Sequence, residues 1–156
     1  MELQIFAADL EAPDFVDLIN THAELMLELS PPGSCHFLPI DALKTPDVTV
    51  WQMRLGTALV GSGALQHRSD DHGEIKSMHT LTAYRGKGLA QTMLDHIVLE
   101  ARERGYTRLS LETGGSPGFQ AARRLYERNG FTVCGPFADY VEDPHSVFMT
   151  HTFEKT

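Results

Sequence analysis

The sequence contains little cysteine, little basic charge and no long hydrophobic run. Two cysteines among 156 residues are too few for a disulfide framework, so a reduced cytosolic protein is expected. Asp and Glu number 21 against 13 Lys and Arg, a formal net charge of −8, which argues against nucleic acid or an anionic membrane as the main partner. No apolar run approaches the ~20 residues of a membrane-spanning helix, and the N-terminus lacks the pattern of a signal peptide. We therefore expect a cytoplasmic protein.

Size and composition predict one globular domain over residues 1–156. A hydrophobic fraction of 42% and a charged fraction of 22% are typical of soluble domains. A chain of this length buries about two-thirds of the surface that it exposes when unfolded. The 8 histidines show no spacing typical of metal ligands, so no metal is expected. Cys134 is expected to be a buried, unreactive thiol.

A glycine-containing turn between a strand and a helix is the most informative feature of the sequence. Residues 74–81 are too few for a helix and are predicted to form a strand. From Ala90 onward, apolar residues recur three and four positions apart as far as Ala101, which predicts an amphipathic helix. Free N–H groups and the positive end of the helix dipole meet where such a helix begins, and glycine lets an anion approach the backbone. An anion site is therefore predicted at residues 85–88.

The spacing of the turn excludes two common phosphate-binding motifs. A Walker loop needs Ser or Thr after its lysine, but Lys87 is followed by Gly88. The dinucleotide fingerprint needs a third glycine where Gln91 stands. What remains is Arg85-x-x-Gly88-x-Ala90, whose basic side chains would attract an anion locally in an otherwise acidic chain.

The other elements follow from hydrophobic periodicity and from glycine and proline breaks. Residues 34–47 show no clear period apart from one helical turn at 40–44, and such loops commonly carry binding specificity. Ser116 is predicted to cap the helix that follows it. The further predicted strands are residues 2–7, 48–55, 58–67, 107–113, 131–135 and 146–153, and the further predicted helices are residues 13–30 and 117–129.

The turn resembles the pyrophosphate-binding motif of the GCN5-related N-acetyltransferases (GNAT family), which bind acetyl-CoA. The order of elements also resembles that family, so the resemblance covers nearly the whole chain. Residues 125–131, Leu-Tyr-Glu-Arg-Asn-Gly-Phe, resemble the end of the family's last helix. Residues 74–78, 109–114 and 134–140 resemble a bacterial subgroup of small stand-alone acetyltransferases.

The resemblance implies an α/β fold with a mixed, mostly antiparallel sheet of about seven strands, flanking helices and a splayed central parallel strand pair. Acetyl-CoA, as co-substrate, would lie between the splayed strands. Phe119 stands where many members carry an Asn that contacts the cofactor, so one polar contact is absent. The cofactor-binding residues that the resemblance implies are Met78, His79, Thr80, Arg85, Gly86, Lys87, Gly88, Leu89, Ala90, Phe119 and Tyr126.

Acetyl transfer to an amine needs a base for the amine proton and an acid for the departing thiolate. Tyr126 matches the family's acid. Glu74 matches the family's usual base, acting through water, although a surface salt bridge with Lys76 is the alternative role. His79 is the second candidate base because its ordinary pKa suits neutral pH, and Glu112 is the third. Strand alternation predicts His79 on the face opposite Glu74 and Lys76 unless a bulge intervenes.

The expected function is acetyl-CoA-dependent N-acetylation of a primary amine on a small molecule or amino-acid-like metabolite, by direct transfer in a ternary complex. Acetylation of a protein lysine or N-terminus is one alternative, and an acyl-CoA-binding sensor without turnover is another. The sequence leaves open whether the protein forms a homodimer. Substrate contacts are expected from the loop segment Cys35, His36 and Phe37, and from Trp51, which faces either the core or the substrate groove.

Overall fold

The described part of the chain forms seven strands and three α-helices, in the order that the hydrophobic periodicity predicts. The computed structural model describes residues 2–34 and 36–154, with Pro32 described in its backbone alone. The predicted turn in the long loop is a 3₁₀ turn at Ala42–Lys44. The strands are β1 (Leu3–Ala7), β2 (Val48–Leu55), β3 (Ala58–Ser69), β4 (His72–Thr80), β5 (Arg108–Gly114), β6 (Thr132–Cys134) and β7 (Ser146–Thr152), and the helices are α1 (Pro13–Leu29), α2 (Leu89–Glu103) and α3 (Gln120–Arg128).

The strands form a single mixed sheet in the order β1-β2-β3-β4-β5-β7-β6. Neighbouring strands are antiparallel except β4 and β5, which are parallel and are connected through α2. A parallel pair requires a crossover of this length, whereas the β2–β3–β4 meander needs only tight turns. The predicted α/β fold with a mostly antiparallel sheet is confirmed.

The central parallel pair separates after three residue pairs. His72, Gly73 and Glu74 pair with Arg108, Leu109 and Ser110, and no later residue of β4 pairs with β5. Each strand keeps its outer neighbour beyond that point, because β4 stays paired with β3 and β5 stays paired with β7. The predicted splayed pair is therefore present, and it leaves the facing edges of both strands open.

A bulge in β4 decides which way His79 faces. Lys76 pairs with Ala64 and His79 pairs with Ser62, so two residues of β4 oppose one residue of β3. Ser77 lies in this bulge with a φ of 53°. Because Ser62 and Ala64 share one face of β3, the bulge turns His79 to the same face as Lys76. Simple alternation would have placed it on the opposite face.

Helices cover both faces of the sheet. On one face, α1 buries Phe15 and Ile19 against Val50 and Ala64. On the other face, a Cβ at Gly63 would lie 2.7 Å from Met93 Cγ on α2, so glycine lets that helix approach β3 closely. Among the residues that the structure describes, no helix is long and apolar enough to cross a membrane.

The predicted N-cap position is confirmed, because Ser116 is the N-cap residue of the 3₁₀ turn that opens this helix and Pro117 follows it, but the serine side chain makes a different contact. Ser116 Oγ donates a hydrogen bond to the carbonyl of Leu29 at 3.1 Å and does not cap the following helix through its side chain. That helix begins with a 3₁₀ turn at Pro117–Phe119 and continues as α3. The serine instead ties this turn to the end of α1.

We predict that Gly114→Ala destabilises the fold and that Gly115→Ala does not. A Cβ at Gly114 would lie 2.1 Å from ring atoms of the buried Phe119, whereas one at Gly115 would have its nearest neighbour at 3.8 Å. Overpacking of this kind costs about 1–3 kcal/mol. Urea denaturation of both variants measures the difference, and equal midpoints would show that the Phe119 ring moves aside without cost.

Candidate active site

A cavity of about 810 Å³ lies where β4 and β5 separate. Its walls come from both splayed strands, from the turn before α2, from α3 and from the last turns of α1. Ligand cavities of several hundred cubic ångströms are usual for small-molecule sites, and this one combines an open strand edge, a helix N-terminus and several titratable side chains.

The predicted anion turn forms one end of the cavity. Gly86 and Gly88 both have a φ of 78°, and a Cβ at either would meet nothing within 4 Å. Gly88 is the N-cap of α2 and supplies no side-chain hydrogen bond to it, so N–H groups of the first turn are left without a side-chain cap. Arg85 Nε donates to the carbonyl of Thr80 at 3.1 Å, which fixes the turn against β4.

Of the predicted pyrophosphate-binding residues 85–90, Lys87 alone does not line the cavity. Its Nζ lies 5.8 Å from the centre of the Tyr84 ring. Its charge can therefore act on an anion at the turn over a distance, but the side chain forms no part of the cavity wall.

His79 lines the cavity, as Met78 and Thr80 do, and it forms a pair with His22 of α1. The Nδ1 atoms of the two rings are 3.1 Å apart, so one ring donates and the other accepts. Burial, with the charge of Arg85, lowers the pKa of His79 to about 4. Burial, with the charges of His79 and Lys76, lowers the pKa of His22 to about 4 as well. His79 is therefore neutral at physiological pH and a weak base.

The hypothesis that Glu74 is the base conflicts with its position. Its side chain is fully buried, outside the cavity wall. Arg68 donates to one carboxylate oxygen through both Nε and Nη2, and Tyr140 Oη donates to the other at 2.6 Å. Lys76 Nζ lies 3.4 Å from that second oxygen. The geometry supports an ion-pair role, but in a buried cluster with Arg68 and Tyr140 as the hydrogen-bonding partners, and not the surface salt bridge with Lys76 that was the alternative.

Glu112, the third candidate, is the carboxylate that lines the cavity. It projects from β5 beyond the point where that strand leaves β4. Burial raises the pKa of Glu112 to about 7, while the nearby Ser146 side chain and, to a smaller extent, the charge of Lys76 act in the opposite direction. A carboxylate with a pKa near the working pH is suited to accept and release a proton.

Tyr126 lines the cavity from α3. Its ring packs edge-on against Phe131, with centroids 5.7 Å apart, and its hydroxyl makes no hydrogen bond to any residue within 2–34 and 36–154. Burial raises the pKa of Tyr126 well above its usual value, so the hydroxyl keeps its proton. Gln91 and Asn129 exchange two amide hydrogen bonds of 2.8 and 2.9 Å, which join the start of α2 to the end of α3 beside Tyr126.

The structure places some of the predicted substrate-contact residues in the cavity wall and one of them in the core. His36 and Phe37 line the cavity, and Cys35 lies outside the described residues. Trp51 does not line it: the ring is 7% exposed within the core cluster and packs edge-on against His96, so its assignment to the substrate is corrected to a core position. Phe119 is buried and lines the cavity. No group of three or more His, Cys, Asp or Glu side chains in the described part of the chain could hold a metal ion.

We predict that Glu112→Gln removes part of the pH dependence of stability. The folded state raises the pKa of this carboxyl from 4.5 to about 7. Its contribution to the free energy of unfolding is therefore complete below pH ~4.5 and is lost as the pH rises through about 7. Relative to the wild type, Glu112→Gln should gain unfolding free energy between pH 5 and pH 8.

Urea unfolding of both proteins at the two pH values tests this prediction. The histidines with lowered pKa values occur in both proteins, so their effect cancels in the difference. A constant difference between pH 5 and pH 8 would mean that Glu112 ionises as an ordinary solvent-exposed glutamate does.

The chain is similar to known proteins over nearly its whole length. An uncharacterized N-acetyltransferase of Bacillus subtilis (strain 168), YsnE, is 50% identical over 142 residues, which are 91% of this chain and 94% of that protein. A structure from Klebsiella pneumoniae, assigned to the acyl-CoA N-acyltransferases, has a TM-score of 0.78 at 29% identity and covers 96% of this chain and 97% of its own.

A GNAT family acetyltransferase from Elizabethkingia anophelis, solved with acetyl-CoA bound, has a TM-score of 0.68 at 15% identity over 97% of this chain and 98% of that one. At that identity the two proteins share the fold. The model of the acetyltransferase (GNAT) family matches residues 9–131, which include the anion turn, both splayed strands and Tyr126. The chain therefore belongs to the GNAT family of acetyltransferases, and its enzyme class is that of the N-acetyltransferases.

Proposed function

We propose that this chain transfers the acetyl group of acetyl-CoA directly to the primary amine of a small molecule, within a single catalytic domain. The observation that carries the proposal is the cavity between β4 and β5, which has the anion turn at one end and both Glu112 and Tyr126 in its wall. An acyl-CoA has a matching layout, with phosphates at one end and a thioester at the other.

The residues present fit such a molecule. The phosphates match the N-terminus of α2, where glycines with positive φ leave open space beside the backbone. The amides of the pantetheine arm match the β4 edge at Met78 and Thr80, which β5 leaves unpaired. Acetyl-CoA, when bound, supplies an activated acetyl group as a thioester.

Glu112 and Tyr126 divide the proton transfers. Glu112, with a pKa of about 7, accepts a proton from the acceptor amine, which must be neutral to attack a carbonyl. Tyr126 holds its proton at neutral pH and donates it to the departing thiolate. The cavity wall is mostly apolar, and the interactions of Glu112 and Tyr126 with a substrate would strengthen as that substrate displaces water.

A thiol-release assay with acetyl-CoA and a panel of amines and peptides tests the function. Release of CoA with small amines and not with peptides supports the proposal. Release with peptides alone would favour the protein acetyltransferase, and tight CoA binding without turnover on any acceptor would favour the sensor.

We predict that Tyr126→Phe lowers kcat about 10²-fold, the usual loss for a positioned acid. The hydroxyl has no partner among the described residues, so the melting temperature should stay near that of the wild type. Tyr106→Phe is the matched control. The Tyr106 hydroxyl is hydrogen-bonded to His67 Nδ1 at a distance of 2.6 Å, and neither residue lines the cavity. Tyr106→Phe should lose about 1 kcal/mol of stability and keep kcat. A wild-type kcat in Tyr126→Phe would show that Tyr126 does not donate the proton and that water is the acid.

We predict that Gly88→Asp weakens CoA binding by about tenfold or more relative to Gly88→Asn at low salt. Asn and Asp both tolerate the positive φ at this position, so the pair differs in charge alone. Pantetheine, which lacks the phosphates, should bind both variants equally. Calorimetry measures the affinity of each variant for CoA and for pantetheine. Equal affinity of the two variants for CoA would show that the phosphates do not bind at this turn.

A further inference from the structure

Two cations share one buried carboxylate beside the cavity. Arg68 already donates twice to one oxygen of Glu74, and Tyr140 satisfies the other oxygen. Lys76 is placed 3.4 Å from that second oxygen. The cluster of Arg68, Glu74 and Lys76 therefore carries an excess of one positive charge.

That excess lies on Lys76, which lines the cavity. Its side chain is 9% exposed, and its ammonium donates to the carbonyl of His36 at 2.9 Å and to Tyr140 Oη at 2.8 Å. Both acceptors are neutral, and within the described residues Glu74 is the sole carboxylate that Lys76 contacts. A buried charge without a full counter-charge is costly, so a ligand anion in the cavity would stabilise it.

The position of Lys76 points to the acceptor half of the cavity. It lies within electrostatic reach of Glu112 and of His22 and contacts the backbone of the 34–47 loop. The anion turn and α2 follow the end of β4 at Thr80, four residues further along the chain than Lys76. An anion beside Lys76 therefore belongs to the acceptor and is distinct from the phosphates of the acyl donor.

We propose that Lys76 binds a carboxylate of the acceptor, so that the substrate is a small amine that also carries a carboxylate, such as an amino acid. This assignment rests on the proposed function. An ammonium–carboxylate contact in a largely apolar cavity is stronger than a neutral hydrogen bond, and it orients the amine relative to Glu112.

A competing role for Lys76 is to stabilise negative charge on the thioester oxygen during transfer. The two roles differ in kinetics. Carboxylate binding changes KM for carboxylate-bearing acceptors alone, whereas stabilisation of the oxygen changes kcat for every acceptor.

The experiment measures kcat and KM for L-amino acids and for the corresponding carboxamides, in the wild type, Lys76→Met and Lys44→Met. Lys44 is the matched control, because its ammonium pairs with the exposed Glu11 at 2.7 Å, outside the cavity. In the wild type and in Lys44→Met, KM for the acid should be at least about tenfold below that for the amide. In Lys76→Met the KM values for the acid and for the amide should become nearly equal. The variant should fold, because Glu74 keeps Arg68 and Tyr140.

Other outcomes overturn the assignment. The assignment is overturned if the wild type has equal KM for acid and amide. It is also overturned if Lys76→Met keeps the wild-type difference in KM, or if Lys76→Met loses kcat equally on both acceptors. Turnover on amines without a carboxylate preference leaves the proposed function standing, whereas no turnover on any amine overturns both. If Lys76→Met does not fold, the wild-type ratio decides the assignment alone.

Discussion

The end of hydrogen bonding between β4 and β5 is the constraint on which the site depends. The parallel pairing stops at Glu74 and Ser110, while each strand remains held by its other neighbour. The two strands can therefore separate without losing their places in the sheet. The gap exposes backbone groups of β4 and brings residues of both strands to one cavity. In a fully paired sheet these groups would bond to one another and no elongated ligand could lie between them.

Two carboxylates near this point have opposite roles because their surroundings differ. Glu74, the last residue of β4 that pairs with β5, is surrounded by Arg68, Tyr140 and Lys76. It stabilises the part of the sheet in which the two strands are still hydrogen-bonded. Glu112 lies two residues beyond Ser110, the last residue of β5 that pairs with β4, and has no cation within ion-pair distance in the described part of the chain. Burial without a direct counter-charge raises the pKa of Glu112 to about 7. The same residue type thus provides structure at one position and is suited to chemistry at the other.

The order of the elements and the anion turn could be predicted because their signals are local. Periodicity, glycine and proline define the strands and helices, and Gly88 marks the start of α2. The bulge at Ser77 carries no such signal, since neither glycine nor proline occurs there. The burial of Glu74 depends on Tyr140, 66 residues away, so local sequence could not exclude it as the base. Trp51 was ambiguous for the same reason: only tertiary packing decides which face of a strand meets a cavity.

The pH dependence of kcat in the wild type and in Glu112→Gln tests most directly whether transfer occurs in this gap with Glu112 as the base. The wild-type rate should rise with pH and level off with an apparent pKa near 7, because the carboxylate must be ionised to accept the proton. Glu112→Gln should be slower by about 10²-fold and should lack that rise. A rise with the same apparent pKa in both proteins would contradict the account, since another group would then be taking the proton.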